Sequence, residues 1–327
     1  MKISTLLFLA FSLIVVNNLN ASQEPPELQE ADTLTASVVK LYSQAKYNEA
    51  LPLAKRALQI REKLLPRTDQ RVFDSLKNLG EVYIGKQDYD SAKEIFKRLL
   101  QAQEERFGPD SVNLASTLDR LAPLQYRALS FDDAEKSYQR ALALREKAFG
   151  SNHEEVARSV FAIAEFYRKR KDLTRAAENY RRALTMYGQL SGITTAEFER
   201  VSDGYACLGY EYQQKQVFSD ILDIRKRSAP EVHEADPYSL INGRAYSMPK
   251  PEYPEEAKRL RLAGTVVVKV MIDEAGKVIS ARDICYGPPY LSESAVAAAM
   301  KARFSATQLN GVPVKVSGII QYHFVGR

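Results

Sequence analysis

The sequence predicts an all-α solenoid of stacked helical hairpins followed by a small α+β domain. Three observations predict it. The middle of the chain repeats itself every 42 residues without an insertion. Within each repeat, apolar residues recur at i, i+3, i+4 and i+7, the period of an amphipathic helix. Beyond about residue 250 that period gives way to valine-rich alternation, the period of a strand.

Tyr47, Tyr89, Phe131 and Leu173 stand 42 residues apart, and Ala50, Ala92, Ala134 and Ala176 follow each by three. Ala57, Leu99, Ala141 and Ala183 come seven further on, beside Leu58, Leu100, Leu142 and Leu184. Self-similarity of this length marks helical hairpins that bury a continuous core only by stacking. The small alanines let the two helices of a hairpin approach closely, and the aromatic ahead of them plugs the gap to the next hairpin. The loops "RFGPDS" and "AFGSNHEE" are expected to stop one helix with glycine and cap the next with Asp or Asn.

Residues 116–153, "STLDRLAPLQYRALSFDDAEKSYQRALALREKAFGSNH", resemble tetratricopeptide repeats of the 42-residue kinesin-light-chain-like class. The resemblance covers residues 33–228, with "VSDGYACLGYEYQQKQVFSDILDIRKRS" as a slipped fifth unit of the capping kind. It implies protein or peptide binding on a concave surface lined by the first helix of each hairpin. The groove positions map to Lys77 and Asn78, Asp119 and Arg120, Phe161 and Ala162, and Asp203. The family's paired asparagines survive only as Asn78, and Pro123 interrupts a first helix. A plain solvated helix face is the competing reading.

Residues 229–245 read as a linker, with Pro230, Pro237 and Gly243 as punctuation. Then "YPEEAKRLRLAG" is expected to form a short helix that Gly264 ends. "TVVVKVMID" and "KVISARDIC" form a hairpin around "EAG", "LSESAVAAAMKARF" a helix, and "NGVPVKVSGIIQYHFV" a turn and a last strand. Tyr253-Pro254, Ala257, Gly264, Asp273, Gly276, Gly287, Leu291, Ala295, Ala298, Phe304 and Pro313 carry a resemblance to the TonB C-terminal domain over residues 246–327. Ala302 stands where that family usually has tryptophan, the proline after the Arg-Phe pair is missing near Ala306, and "CYG" replaces a Ser-Ser-Gly. The resemblance implies that an extended peptide adds to the last strand, at Val314, Val316, Gly318, Ile320, Tyr322 and Phe324.

At 327 residues the chain has room for about two domains. A net charge of +5, with no Lys/Arg block interleaved with aromatics, argues against nucleic acid as partner. After Met1-Lys2, the apolar run "LLFLAFSLIVV" has the length of a signal-peptide core, and Ala21 and Ser22 suit cleavage. Residues 1–21 are therefore expected to be an export signal, with an uncleaved inner-membrane anchor as the alternative. Cys207 and Cys285 fall in elements assigned to different domains and are expected to be lone thiols.

No catalytic, cofactor-binding or metal-binding site is expected. His153, His233 and His323 have no metal-ligand spacing, and there is no phosphate loop or nucleophile elbow. Asp132-Asp133 and Glu154-Glu155 sit at helix starts, where they offset the helix dipole. The expected function is that of an exported, non-enzymatic interaction adaptor in the periplasm or envelope of a Gram-negative bacterium. Its expected partners are proteins or peptides, outer-membrane receptors and envelope complexes among them. Membrane contact is expected only if the N-terminal segment stays uncleaved. The alternative is a TonB-type energy transducer for outer-membrane transport, although Ser12 is the only polar residue in the apolar run and the spacer is a solenoid with a single "EPPE".

Overall fold

The computed structural model describes residues 24–190, 196–212, 216–228, 244–285, 287–309 and 311–325. The expected signal peptide and nearly all of the expected linker, His233 included, lie outside them. The chain divides into two compact units, one ending at Arg106 and the other beginning at Phe107. The first holds α1 (Pro26–Ser43), α2 (Tyr47–Leu64), α3 (Gln70–Gly85) and α4 (Tyr89–Phe107), whose last residue opens the second. The second holds α5 (Ala115–Arg127), α6 (Phe131–Phe149), α7 (Glu154–Lys169), α8 (Leu173–Leu190), α9 (Ala196–Tyr212) and α10 (Gln216–Ser228), and then the strand-bearing domain.

The 42-residue period is a packing register. The four residues that mark it, Tyr47, Tyr89, Phe131 and Leu173, are the first residues of α2, α4, α6 and α8. Ala50, Ala92, Ala134 and Ala176 have no exposed surface, and Ala57, Leu99, Ala141 and Ala183 are buried. Gly80 shows how close the helices come: a side chain there would run into the Phe96 ring.

The helix turns carry the same period. Ala45, Gln87, Leu129 and Lys171 adopt left-handed φ of 56°, 63°, 58° and 60°. One residue later the N–H reaches back five positions, as Lys46 to Leu41, Asp88 to Tyr83, Ser130 to Gln125 and Asp172 to Tyr167, at 2.9 to 3.0 Å. This closes the exposed carbonyls of the preceding helix and reverses the chain. A polar network centred on a buried arginine recurs at twice the period. Arg61 donates to Ser75 and Asp32 at 2.7 and 2.5 Å, and Arg145 to Ser159 and Asp119 at 2.7 and 2.6 Å.

Gly108 and Gly150 end their helices at φ 81°, as expected. The caps that follow differ from expectation. Ser111 Oγ accepts from Asn113 N–H, and His153 Nδ1 accepts from Glu155 N–H, in place of Asp110 and Asn152. Each chosen residue sits two positions before the free N–H with extended backbone, the geometry that brings an acceptor within reach.

The second unit ends in β1 (Ala245–Ser247), α11 (Glu255–Arg259), β2 (Gly264–Ile272), β3 (Val278–Asp283), α12 (Pro289–Met300), β4 (Arg303–Phe304), β5 (Gln308–Leu309), β6 (Val312–Pro313) and β7 (Val316–Phe324). β2, β3 and β7 form an antiparallel sheet in the order β3–β2–β7. Val266, Val268, Val270 and Ile272 of β2 meet Leu291, Ala295 and Ala299 of α12 in one core. The β2–β3 turn is tied by Asp273 Oδ1, which accepts from Ala275 and Lys277 N–H at 3.0 and 2.8 Å. Gly276 lies there at φ 84° with its Cα hydrogen against the Phe304 carbonyl, where a side chain has no room. Two boundaries differ from expectation. α11 ends at Arg259, because Arg261 turns left-handed at φ 50° and Leu262 N–H reaches back to Ala257, so Gly264 opens β2 instead of closing the helix.

Candidate functional site

β7 is an edge. It pairs with β2 on one side, and no strand among the described residues lies on the other. The direction of its polar groups follows from the ladder. Ile284 N–H donates to Val267 carbonyl at 3.0 Å, so the odd-numbered residues of β2 face β3. The even-numbered ones therefore face β7, through the pairs Val266–Tyr322, Val268–Ile320, Val270–Gly318 and Ile272–Val316. The backbone N–H and C=O of Ser317, Ile319, Gln321 and His323 are left pointing away from the sheet.

This corrects the expected site in two ways. Val314 lies before β7, with its N–H on the Thr307 carbonyl at 3.0 Å. Val316, Gly318, Ile320, Tyr322 and Phe324 do lie on the strand, but they alternate onto its inner face and are buried. The side chains of Val316, Ile320, Tyr322 and Phe324 build the core, and the N–H groups of the set serve β2. Tyr322 carries its hydroxyl into that core without a hydrogen-bond partner, and burial raises the phenol's pKa. The residues that present hydrogen-bonding groups outward are the odd-numbered ones between them.

The opposite face of the sheet is covered by α9. Lys269 of β2 is only 8% exposed, and its Nζ donates to Glu199 and Asp203 of α9 at 2.6 and 3.0 Å. Arg282 of β3 pairs with Asp203, and Arg225 of α10 with Glu199. Burial alone would raise the Glu199 carboxyl, but Lys269 and Arg225 outweigh it and hold the group below the usual carboxylate range. Further along α9, Cys207 and Cys285 are joined in a disulfide, with Cα atoms 5.4 Å apart across 78 residues of sequence. Val267, Ile284, Ile319 and Tyr210 pack around it. The expectation of lone thiols fails because α9 and the end of β3, assigned to separate domains, lie against each other. One signal in the sequence pointed that way: a lysine in the middle of "TVVVKVMID" must find a counter-charge if both faces of its sheet are covered.

The expected groove positions are not equivalent. In the first unit Lys77 is exposed and Asn78 half-buried on α3. In the second, Arg120 is exposed, while Asp119 is held by Arg145 and Phe161 lies under the Arg200 guanidinium at 5.0 Å. Asp203 is 3% exposed and bound to Lys269, so it is not open to a groove ligand. No group of three His, Cys, Asp or Glu among the described residues is placed to hold a metal ion, and no helix among them is long and apolar enough to cross a membrane.

Residues 249–325 match the family described as the Gram-negative bacterial TonB protein C-terminal. Residues 71–146 and 124–189 match one tetratricopeptide-repeat family, and residues 41–70 another. The repeats are tetratricopeptide repeats and the last domain is of the TonB type. Both families are interaction domains, not enzyme folds. Two crystal structures of nearly identical TPR-like repeats from Podosopora anserina, described under kinesin light chain, share the helical part of the fold. One is 13% identical with a TM-score of 0.54, covering 63% of this chain and 98% of that one. The other is 14% identical with a TM-score of 0.53, covering 64% and 100%. No curated protein matches the chain.

Proposed function

We propose that this protein is an exported adaptor of the cell envelope whose TonB-type domain binds extended peptide segments by strand addition along β7. The observation that carries the reading is the open edge, with outward backbone groups at Ser317, Ile319, Gln321 and His323. An unpaired edge offers a partner a ready row of donors and acceptors, and it invites pairing unless something blocks it. No proline or bulge interrupts the β2–β7 ladder. The repeats add a scaffold surface, on which Lys77, Asn78 and Arg120 remain candidate contacts in their separate units. The Cys207–Cys285 bond supports an oxidising compartment, where structural disulfides persist. The apolar run at residues 6–16 supports export.

The test is a photo-crosslinking amino acid at Gln321, which is exposed on the edge, introduced in cells and followed by mass spectrometry of the adduct. Adducts confined to one extended segment of a partner, lost in Ser317→Pro, support strand addition. Equal adducts in Ser317→Pro would overturn it and direct attention to the repeats. Adducts with outer-membrane receptors together with a membrane-retained, uncleaved N-terminus would favour the energy-transducer reading.

A further inference from the structure

Glu199, Asp203 and Cys207 stand at i, i+4 and i+8 on α9 and form one stripe, which faces the sheet. Its partners are Lys269, Arg282 and Cys285 of the TonB-type domain. Cys207 is 1% exposed and Cys285 7%, so a reductant in solution cannot reach either sulfur while α9 lies against the sheet. The ionic cluster is one and two helical turns away along the same stripe. Separating α9 from the sheet requires the Lys269–Glu199, Lys269–Asp203 and Arg282–Asp203 contacts to break together.

We propose that the stripe is a redox latch in which the Lys269 cluster guards the disulfide. While both are closed, α9 and the sheet move as one body. Opening has an order: the ionic contact yields first, and the exposed disulfide is then reduced by a dithiol. One thiolate of the dithiol attacks a cysteine sulfur, the Cys207–Cys285 bond breaks and a mixed disulfide forms. The dithiol's second thiolate resolves it, leaving the dithiol as a disulfide and two electrons and two protons on the cysteine thiols. The reduced protein recloses through the ionic contact and the apolar packing alone, with no covalent tie, and so opens reversibly, baring the outer sheet face at Val267 and Ile319. The latch does not depend on strand addition at β7.

The experiment uses the full chain, dithiothreitol as the dithiol, iodoacetamide trapping to time the reduction, and hydrogen–deuterium exchange to follow opening. Lys269→Met is expected to speed reduction by about tenfold or more, since it removes the buried charge contact. Lys258→Met, on the exposed α11 pair with Glu255, should leave the rate unchanged. After reduction, exchange in α9 and β2 should rise together while α5 and α6 stay as they were, and reoxidation should restore protection. If reduction leaves exchange in α9 and β2 unchanged, the disulfide is a passive staple and the latch is wrong. If Lys269→Met reduces no faster than wild type, the cluster does not guard the bond. Should Lys269→Met fail to fold, Arg282→Gln, at a side chain 53% exposed, removes the outer charge alone and must still speed reduction for the proposal to stand.

Discussion

At the four repeat turns, as at Arg261, the backbone accepts a left-handed residue that is not glycine, and Leu129 is the plainest case, 73% exposed at φ 58°. An L side chain there costs about 1 kcal/mol against glycine, and Leu129 recovers little of that by packing. Leu129→Gly is therefore expected to stabilise the protein by roughly 0.5–1 kcal/mol in urea unfolding. A loss of stability would mean the side chain does more than the fold suggests. The turns were hidden in the sequence because Ala45, Gln87, Leu129 and Lys171 share no chemistry; only their spacing betrays them. The buried arginines were equally hidden, since Arg61 and Arg145 recur at double the period with Gln103 between them. Asp119, read as a groove residue, pairs with the buried Arg145. Glu199 yields a pH prediction. Its carboxyl is held below its ordinary value of 4.5, so its charge stabilises the fold fully above that pH and is lost as pH falls below it. As pH falls below about 4.5, wild type should lose thermal stability more steeply than Glu199→Gln, whose side chain cannot titrate. Parallel curves would remove Glu199 from the interface energetics.

Among the elements, the hairpins were the most legible part, because their packing is local and repeats. Ala141 has no exposed surface at the α5–α6 contact, while Lys136 on the same helix is exposed. Ala141→Trp should cost about 1–3 kcal/mol or more by overpacking, and Lys136→Trp within about 0.5 kcal/mol. Equal thermal shifts would show that the period is not a packing register. The strands were legible as strands and less so as sides. Alternation in "TVVVKVMID" puts Val266, Val268 and Val270 on one face, the face that meets α12, but it says nothing of what covers Val267 and Lys269. That cover comes from α9, more than fifty residues earlier in the chain. β7 can be tested on its own terms. Gly318→Pro and Ile320→Pro remove N–H groups that serve β2 and should unfold the domain. Ser317→Pro and Gln321→Pro remove outward ones and should leave its melting temperature nearly unchanged. If all four unfold it equally, β7 is not an edge.

For the whole molecule, the disulfide changes what holds the strand domain in place. Closing a loop across 78 residues restricts the unfolded chain by about 4.5 kcal/mol in the chain-entropy account. Cys207→Ser with Cys285→Ser should therefore lower the unfolding midpoint of the second unit and leave that of the first unit unchanged; calorimetry on the full chain would see the difference. A lowered midpoint in both units would mean that they unfold together. Helix α9 is thus a repeat element that serves as one layer of the next domain, which no local pattern in either half announces. The same bond also makes a covalent ring of everything from Cys207 to Cys285. A single cut by a protease inside that ring, the stretch 229–243 included, severs the backbone and parts nothing. The nicked protein would run as one band without reductant and as two with it. The strand domain would stay attached to its repeats through an injury that would cast off a tethered domain.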